Sequence, residues 1–140
     1  MFFKNSKINY TENIIRSNSN NIAIVFYGEN GIKRKYSWSK LNKSINSLYN
    51  FYKLNKIKTN DRIVGVLPNI PETIISFLAC AKLGAIWSSC SADFGPDAII
   101  ERFNQIKPKM IIISDYYFYN GKKYNVVKKI IPVLKKITSI

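Results

Sequence analysis

Alternating apolar and polar runs divide this chain into short strands and longer amphipathic helices. Apolar runs predict strands at 22–27, 32–36, 62–67, 85–87 and 110–113, and a Gly/Asn turn joins the first two as a β-hairpin. Apolar residues at spacings of three and four predict helices that begin near Ser37, Pro71, Pro96 and Val126. Strands that alternate with helices indicate βαβ units, so we expect an α/β fold with a mostly parallel sheet.

The middle of the chain carries the clearest signals. We expect Asn69 to cap a helix with Pro71 in its first turn, and Gly84 to end that helix in the left-handed conformation. The apolar residues 85–87 then predict a buried strand. The polar, turn-rich residues 88–95 are expected to form a loop at the carboxyl end of this strand, the edge of an α/β sheet where ligands collect.

The two ends of the chain have weaker patterns. Residues 1–21 are polar and indicate an N-terminal arm, with one helical turn expected at 9–15. Residues 22–140 are expected to form a single, partial α/β domain without an internal repeat. We expect a polar aromatic loop at 114–124 and the beginning of a further strand at 137–140.

The chain is strongly basic, with 22 Lys and Arg against 8 Asp and Glu and a net charge of +14. Such a charge raises the alternative of nucleic-acid binding, which tight, salt-sensitive retention on DNA would support. However, Lys outnumbers Arg 18 to 4, and the chain is rich in Asn, Ile and Tyr. These residues have AT-rich codons, so a biased genome explains much of the charge, and no nucleic-acid partner is expected.

Several kinds of site have no support in the sequence. There is no histidine, which excludes histidine bases and ligands, and Cys80 and Cys90 match no zinc spacing, so no metal site is expected. The phosphate-binding patterns G-x-x-x-x-G-K-[ST] and G-x-G-x-x-G do not occur. No apolar run could span a bilayer, and two thiols fit a reducing compartment, so we expect a cytoplasmic protein without a membrane partner.

The polar residues near the predicted loop have two explanations each. Asp93 and Asp97 flank a helix start, where negative charge is favourable without any catalytic role. Ser88, Ser89 and Ser91 could contact an anion, although serines in turns usually bond to the local backbone. The residues alone therefore indicate an α/β fold with a ligand-facing loop, and no complete active site.

Three motifs extend this interpretation: L-P-N-I-P-E at 67–72, W-S-S-C-S-A-D-F-G at 87–95 and Y-F-Y-N-G-K at 117–122. Together they resemble the acyl-adenylate-forming (AMP-dependent) synthetase superfamily and, within it, most of all the acetoacetyl-CoA synthetases. The second and third motifs are the more specific. Ala92 departs from the pattern, because proline is expected there.

The resemblance implies that the chain is the N-terminal part of the large domain of such a synthetase. It implies ATP, Mg²⁺ and CoA as cofactors and a short acyl acid, acetoacetate or a relative, as the small-molecule substrate. By the same resemblance, Lys122 would contact the phosphate of CoA, whereas Tyr119 departs from the basic residue expected at its position. Trp87, Ser88 and Ser89 would belong to a substrate-side loop.

The resemblance also marks what these 140 residues lack. The superfamily's phosphate loop, its ribose-binding aspartate and its catalytic lysine would all lie beyond Ile140. We therefore expect a fragment that is inactive alone, prone to aggregate through an unpaired sheet edge, and completed by the remaining part of the ligase. The alternative is a non-catalytic binding or complementing fragment of another acyl-CoA synthetase, of the acetyl or propionyl type.

Overall fold

The computed structural model of the chain describes residues 6–15 and 17–140. Its elements, in chain order, are α1 (Tyr10–Ile14), β1 (Ile22–Tyr27), β2 (Lys33–Ser37), α2 (Trp38–Leu54), β3 (Arg62–Val66), α3 (Pro71–Leu83), β4 (Ile86–Cys90), α4 (Pro96–Asn104), β5 (Met110–Ile113), β6 (Tyr116–Tyr119), β7 (Lys122–Asn125) and α5 (Val126–Leu134). The α/β class and the β1–β2 hairpin are confirmed.

The central sheet is parallel, in the order β4-β3-β5. Side chains alternate between its faces, so the neighbours Ile63 and Val64 on β3 enter two different apolar clusters. The first cluster contains Ile45 and Tyr52 of α2 together with the apolar side of α3. The second contains Phe103 of α4 and the apolar side of α5. Helices therefore cover both faces of the sheet, as an apolar parallel strand requires.

The short helix α1 ties the start of the described chain to α3. Asn9 caps α1 by accepting from the Thr11 and Glu12 N–H groups, and its amide nitrogen donates to the Ala81 and Lys82 carbonyls, 3.1 Å away in each case. The buried Thr11 hydroxyl donates to the Leu78 carbonyl at 2.6 Å. The helical turn expected at 9–15 is thus confirmed, whereas the division into an arm and a domain stays a prediction.

The beginning of α3 differs from the expectation, and its end confirms it. Asn69 does not cap the helix; Ile70 occupies the N-cap position and makes no capping side-chain hydrogen bond. Pro71, at the first position, and the Thr73 hydroxyl, which donates to the Pro68 carbonyl at 2.7 Å, fix the entry instead. Gly84 ends the helix at φ 74°, in the left-handed conformation that glycine adopts without strain.

Three predictions about strands were wrong. Strand β4 runs to Cys90, because its backbone pairs with β3 through the serines as far as Val66↔Cys90. Residues 116–125 form the β6–β7 hairpin rather than a loop, since Asn120 and Gly121 take positive φ angles of 49° and 70° in its tight turn. Residues 138–139 form a turn instead of a strand, and the Ser139 hydroxyl donates to the Pro108 carbonyl.

Thr11→Val tests the link between α1 and α3. Valine keeps the shape of the side chain but removes the hydroxyl donor, and leaves the buried Leu78 carbonyl without this partner. We expect a loss of about 1 kcal/mol in the free energy of unfolding, measured with urea. Thr138→Val, at an exposed position, is the matched control. Equal stability of the two variants would contradict the link.

Asp61→Asn tests how acid acts on the fold. The Lys109 ammonium, 2.8 Å away, and the Lys58 N–H lower the pKa of the Asp61 carboxyl. A lowered pKa means that ionised Asp61 stabilises the fold above the ordinary carboxyl pKa, and that this stabilisation disappears as the pH falls through the lowered value. We therefore expect Asp61→Asn to lower stability at pH 7 by less than about 1 kcal/mol and to flatten the acid limb of stability against pH. Lys109→Met should also flatten the acid limb of stability against pH. If neither variant changes this limb, the Asp61–Lys109 ion pair does not contribute to the acid sensitivity of the fold.

Candidate functional site

The carboxyl ends of the three parallel strands meet at one edge of the sheet, and two segments leave from there. The loop 91–95 follows β4 and leads into α4. The β6–β7 hairpin follows β5 after residues 114–115. Ligands of open α/β sheets bind beyond this edge, so these segments and the space between them form the candidate site.

A lysine on the last helix, α5, holds the loop 91–95. The Lys129 ammonium, on α5, donates to the Ala92 carbonyl and, at 2.9 Å, to the Phe94 carbonyl. Burial lowers the pKa of Lys129, although the nearby charge of Asp93 opposes that change. The contact joins α5 to the loop and fixes the loop backbone at the carboxyl end of β4.

The titratable groups around the loop are arranged for structure rather than for nucleophilic chemistry. Burial raises the pKa of the Cys90 thiol, which therefore stays protonated and unreactive at neutral pH. The Ser91 hydroxyl bonds to Asp93 and lowers the pKa of its carboxyl, so that Asp93 is ionised. Burial, together with the charge of Asp93, raises the pKa of Tyr117 on β6.

The β6–β7 hairpin presents Lys122 to solvent. Lys122 pairs with Tyr119 beside the turn, and both residues are exposed. The Asn120 N–H donates to the Glu29 carboxylate at 2.9 Å, which anchors the turn to the β1–β2 connection. The Lys123 ammonium lies 3.7 Å from the centre of the Tyr116 ring. Lys122 is thus held on an anchored hairpin, where its ammonium can meet an anionic ligand as a point charge.

The other predicted site residues lie in β4, not in a loop. Trp87 packs over β3, where a Cβ added to Gly65 would come within 2.8 Å of its ring, so Gly65 is required for this packing. Ser88 and Ser89 are half-buried in the strand and pair with β3. Because β4 and β5 are opposite edges of the sheet, the structure does not bring these residues to Lys122. Their substrate-side role stays a prediction.

Sequence reasoning missed a cavity of about 840 Å³ beyond the ends of β3 and β5. The β1–β2 hairpin, the beginning of α3 and strand β6 also line it. Arg34 and Glu72 meet there, with nitrogen–oxygen distances of 2.5 and 2.9 Å, and the Tyr36 hydroxyl donates to the same carboxylate at 3.3 Å. Burial opposes ionisation of Glu72, but the hydrogen bonds from Arg34, the backbone and Tyr36, together with the charge of Arg34, outweigh it and lower the pKa of the carboxyl. No local pattern reveals a pair 38 residues apart in the chain.

Within 6–15 and 17–140, no group of three acidic or cysteine side chains is placed to hold a metal ion. In the same residues, no helix is both long enough and apolar enough to cross a membrane.

Comparison with known proteins agrees with this geometry. Residues 11–139 match the family model described as AMP-binding enzyme. The acetoacetyl-coenzyme A synthetase of Rhizobium meliloti is 39% identical over 136 residues, which are 97% of this chain and 21% of the relative. The acetyl-coenzyme A synthetase of Helicobacter pylori is 36% identical over 128 residues, 88% of this chain and 19% of the relative.

A solved structure gives the same result for the fold. The acetoacetyl-CoA synthetase from Streptomyces lividans superimposes with a TM-score of 0.91 at 27% identity, over 95% of this chain and 21% of that one. The chain therefore spans about a fifth of the length of the relatives that it matches. The resemblance found in the sequence is confirmed, and the chain belongs to the AMP-binding enzyme family.

Proposed function

We propose that these residues supply the first part of the large domain of an acetoacetate–CoA ligase. The observation that carries the proposal is the similarity to acetoacetyl-CoA synthetases over 97% to 99% of the chain, at 33% to 39% identity. The specific motif at 87–95 runs along β4 and ends in the loop 91–95, and the motif at 117–122 lies in the β6–β7 hairpin, so both reach the carboxyl edge of the sheet. This is the edge at which a nucleotide ligand is expected.

The proposed reaction has two half-reactions. An acetoacetate oxygen attacks the α-phosphorus of ATP, which forms the acyl-adenylate and releases pyrophosphate. The CoA sulfur then attacks the acyl carbon and releases AMP, so the products are acetoacetyl-CoA, AMP and pyrophosphate. Mg²⁺ would neutralise the phosphates of ATP. A reducing, cytoplasmic location fits this chemistry and the two free thiols of the chain.

Within this reaction we assign Lys122 to a phosphate of CoA. Its exposed ammonium on an anchored turn fits a phosphate, which lysine binds as a point charge. The described residues offer no cluster for Mg²⁺, so in this proposal the ion and the ATP phosphates are held by the remaining part of the ligase, which is the partner of the chain.

A second candidate is the equivalent part of an acetyl- or propionyl-type synthetase. The 36% identity to the Helicobacter pylori acetyl-coenzyme A synthetase supports it, although over less of the chain. The two candidates differ in the acid that is activated. A chimera in which this chain replaces the matched fifth of the Rhizobium meliloti enzyme distinguishes them by its relative activity with acetoacetate and acetate.

We expect the isolated 140-residue chain to be inactive. Its 140 residues do not contain the Thr/Ser/Gly-rich phosphate loop with which the superfamily holds ATP, so they should not form an acyl-adenylate. The measurement is acetoacetate-dependent exchange between pyrophosphate and ATP, with the Rhizobium meliloti chimera as the positive control. Exchange by the chain alone would show that the residues assigned to the partner are not needed.

Lys122→Ala in the chimera tests the CoA contact. Loss of one charge-assisted contact should raise KM for CoA about tenfold and leave kcat and KM for ATP nearly unchanged. Lys122→Arg keeps the charge and should restore most of the affinity. Lys123→Ala is the matched control, because the Lys123 ammonium lies over the Tyr116 ring. An equal effect of the two alanine variants on KM for CoA would refute the assignment.

A further inference from the structure

The cavity of about 840 Å³ beyond β3 and β5 has no role in the CoA contact proposed above. Its apolar lining residues include Leu67, Ile70 and Ile113, together with Phe26 of the β1–β2 hairpin. This volume falls within the range of pockets that bind drug-sized ligands, so the cavity is large enough to receive a substantial apolar group.

Two buried polar atoms on residues that line this cavity have no hydrogen-bond partner within the described part of the chain. They are the Ser114 hydroxyl oxygen, on a residue that is only 9% exposed, and the Arg34 Nε. The two other guanidinium nitrogens of Arg34 bind Glu72. Buried polar atoms almost always find a partner in a complete structure. Polar atoms of a bound partner would supply the hydrogen bonds that the Ser114 hydroxyl and the Arg34 Nε lack.

The cavity is also acidic, which is unusual in a chain of net charge +14. The whole sequence contains 8 acidic residues, and Glu29, Glu72 and Asp115 all line this space. Arg34 neutralises Glu72 through the ion pair at 2.5 Å. Glu29, whose carboxylate also accepts from the Asn120 N–H, and Asp115 are exposed at the cavity wall. Their charge favours a cationic group in the occupant and disfavours an anion.

The surroundings of the cavity favour a polypeptide over a small molecule. Three large side chains at its edge are substantially exposed: Tyr27 at 68%, Ile32 at 48% and Tyr116 at 39%. They continue the apolar surface of the cavity outward over the protein surface. An exposed apolar area around a cavity is typical of a protein-binding surface. About four fifths of each relative has no counterpart in this chain, and that part of the enzyme is a source of such a polypeptide.

We propose that the cavity receives a segment from that unmatched four fifths of an acetoacetyl-CoA synthetase-type enzyme. The segment inserts an apolar side chain against Phe26 and Ile113, and its backbone or a polar side chain bonds to Ser114. A lysine or arginine beside the apolar residue meets Asp115 and Glu29. This inference rests on the proposed function, because it takes its partner from the same enzyme class.

The test is co-expression of the tagged 140-residue chain with the unmatched part of the Rhizobium meliloti synthetase. The measurement is the molar ratio of the two polypeptides after capture of the tag, without ATP or CoA. Asp115→Lys reverses one charge at the cavity wall, and Ser114→Trp fills the space. Glu101→Lys, at an exposed position on α4, is the matched charge reversal away from the cavity.

We expect the unchanged chain and Glu101→Lys to capture equal amounts of the second polypeptide. Asp115→Lys should capture about tenfold less, because the new lysine would lie opposite the lysine or arginine of the inserted segment. Ser114→Trp should capture less as well. Circular dichroism of each variant shows whether it is folded, and the exposed Asp115 keeps the test valid if Ser114→Trp does not fold. Equal capture by Asp115→Lys and Glu101→Lys, or no capture by the unchanged chain, would overturn the proposal.

The same experiment separates this inference from the proposed function. Capture is measured without substrates, so the cavity can bind its segment even if the assembled pair forms no acetoacetyl-CoA. Conversely, an active chimera with normal capture by the cavity variants would leave the ligase assignment intact and refute only the docking site. Release of the captured polypeptide by millimolar acetoacetate, ATP or CoA would identify a small-molecule site and would also refute it.

Discussion

Burial of β3 on both faces is the constraint on which the rest of this structure depends. Ile63 and Val64 are adjacent in the chain, yet both are fully buried, in clusters on opposite sides of the sheet. A strand of this kind needs parallel neighbours on both edges and helices above and below it. The β4-β3-β5 order and the placement of α2 and α3 on one face and of α4 and α5 on the other meet that need.

The same packing places the polar groups of the candidate site. Because α5 must cover the second cluster, Lys129 comes to lie under the loop 91–95 and can donate to its carbonyls. The β1–β2 hairpin packs against the first cluster, on the other face of the sheet, and from there Glu29 reaches the turn of the β6–β7 hairpin. Local side-chain contacts thus hold the segments in place, but apolar burial decides which segments can meet.

The residues that carry the resemblance to the acyl-adenylate-forming synthetases differ in whether they pack in the fold or are exposed on its surface. Trp87, within the most specific motif, packs over Gly65 and belongs to the core. Lys122, within the other specific motif, is exposed on a tight turn. Glu72, in the widely shared L-P-N-I-P-E element, holds Arg34 at the cavity. A motif that identifies a family is therefore not a list of its ligand contacts, because packing can require particular residues as strictly as binding does.

The sequence by itself determined the succession of strands and helices from β1 to β5, the parallel sheet and the glycine that ends α3. These depend on hydrophobic periodicity and on the conformational preferences of Pro71 and Gly84, which are local properties. Only the tertiary structure decided that Ser88 and Ser89 belong to a strand, since pairing with β3 outweighs their polarity. It also decided that Arg34, Glu72 and Ser114 share one cavity. Those residues lie far apart in the chain, and only burial of the sheet brings them together.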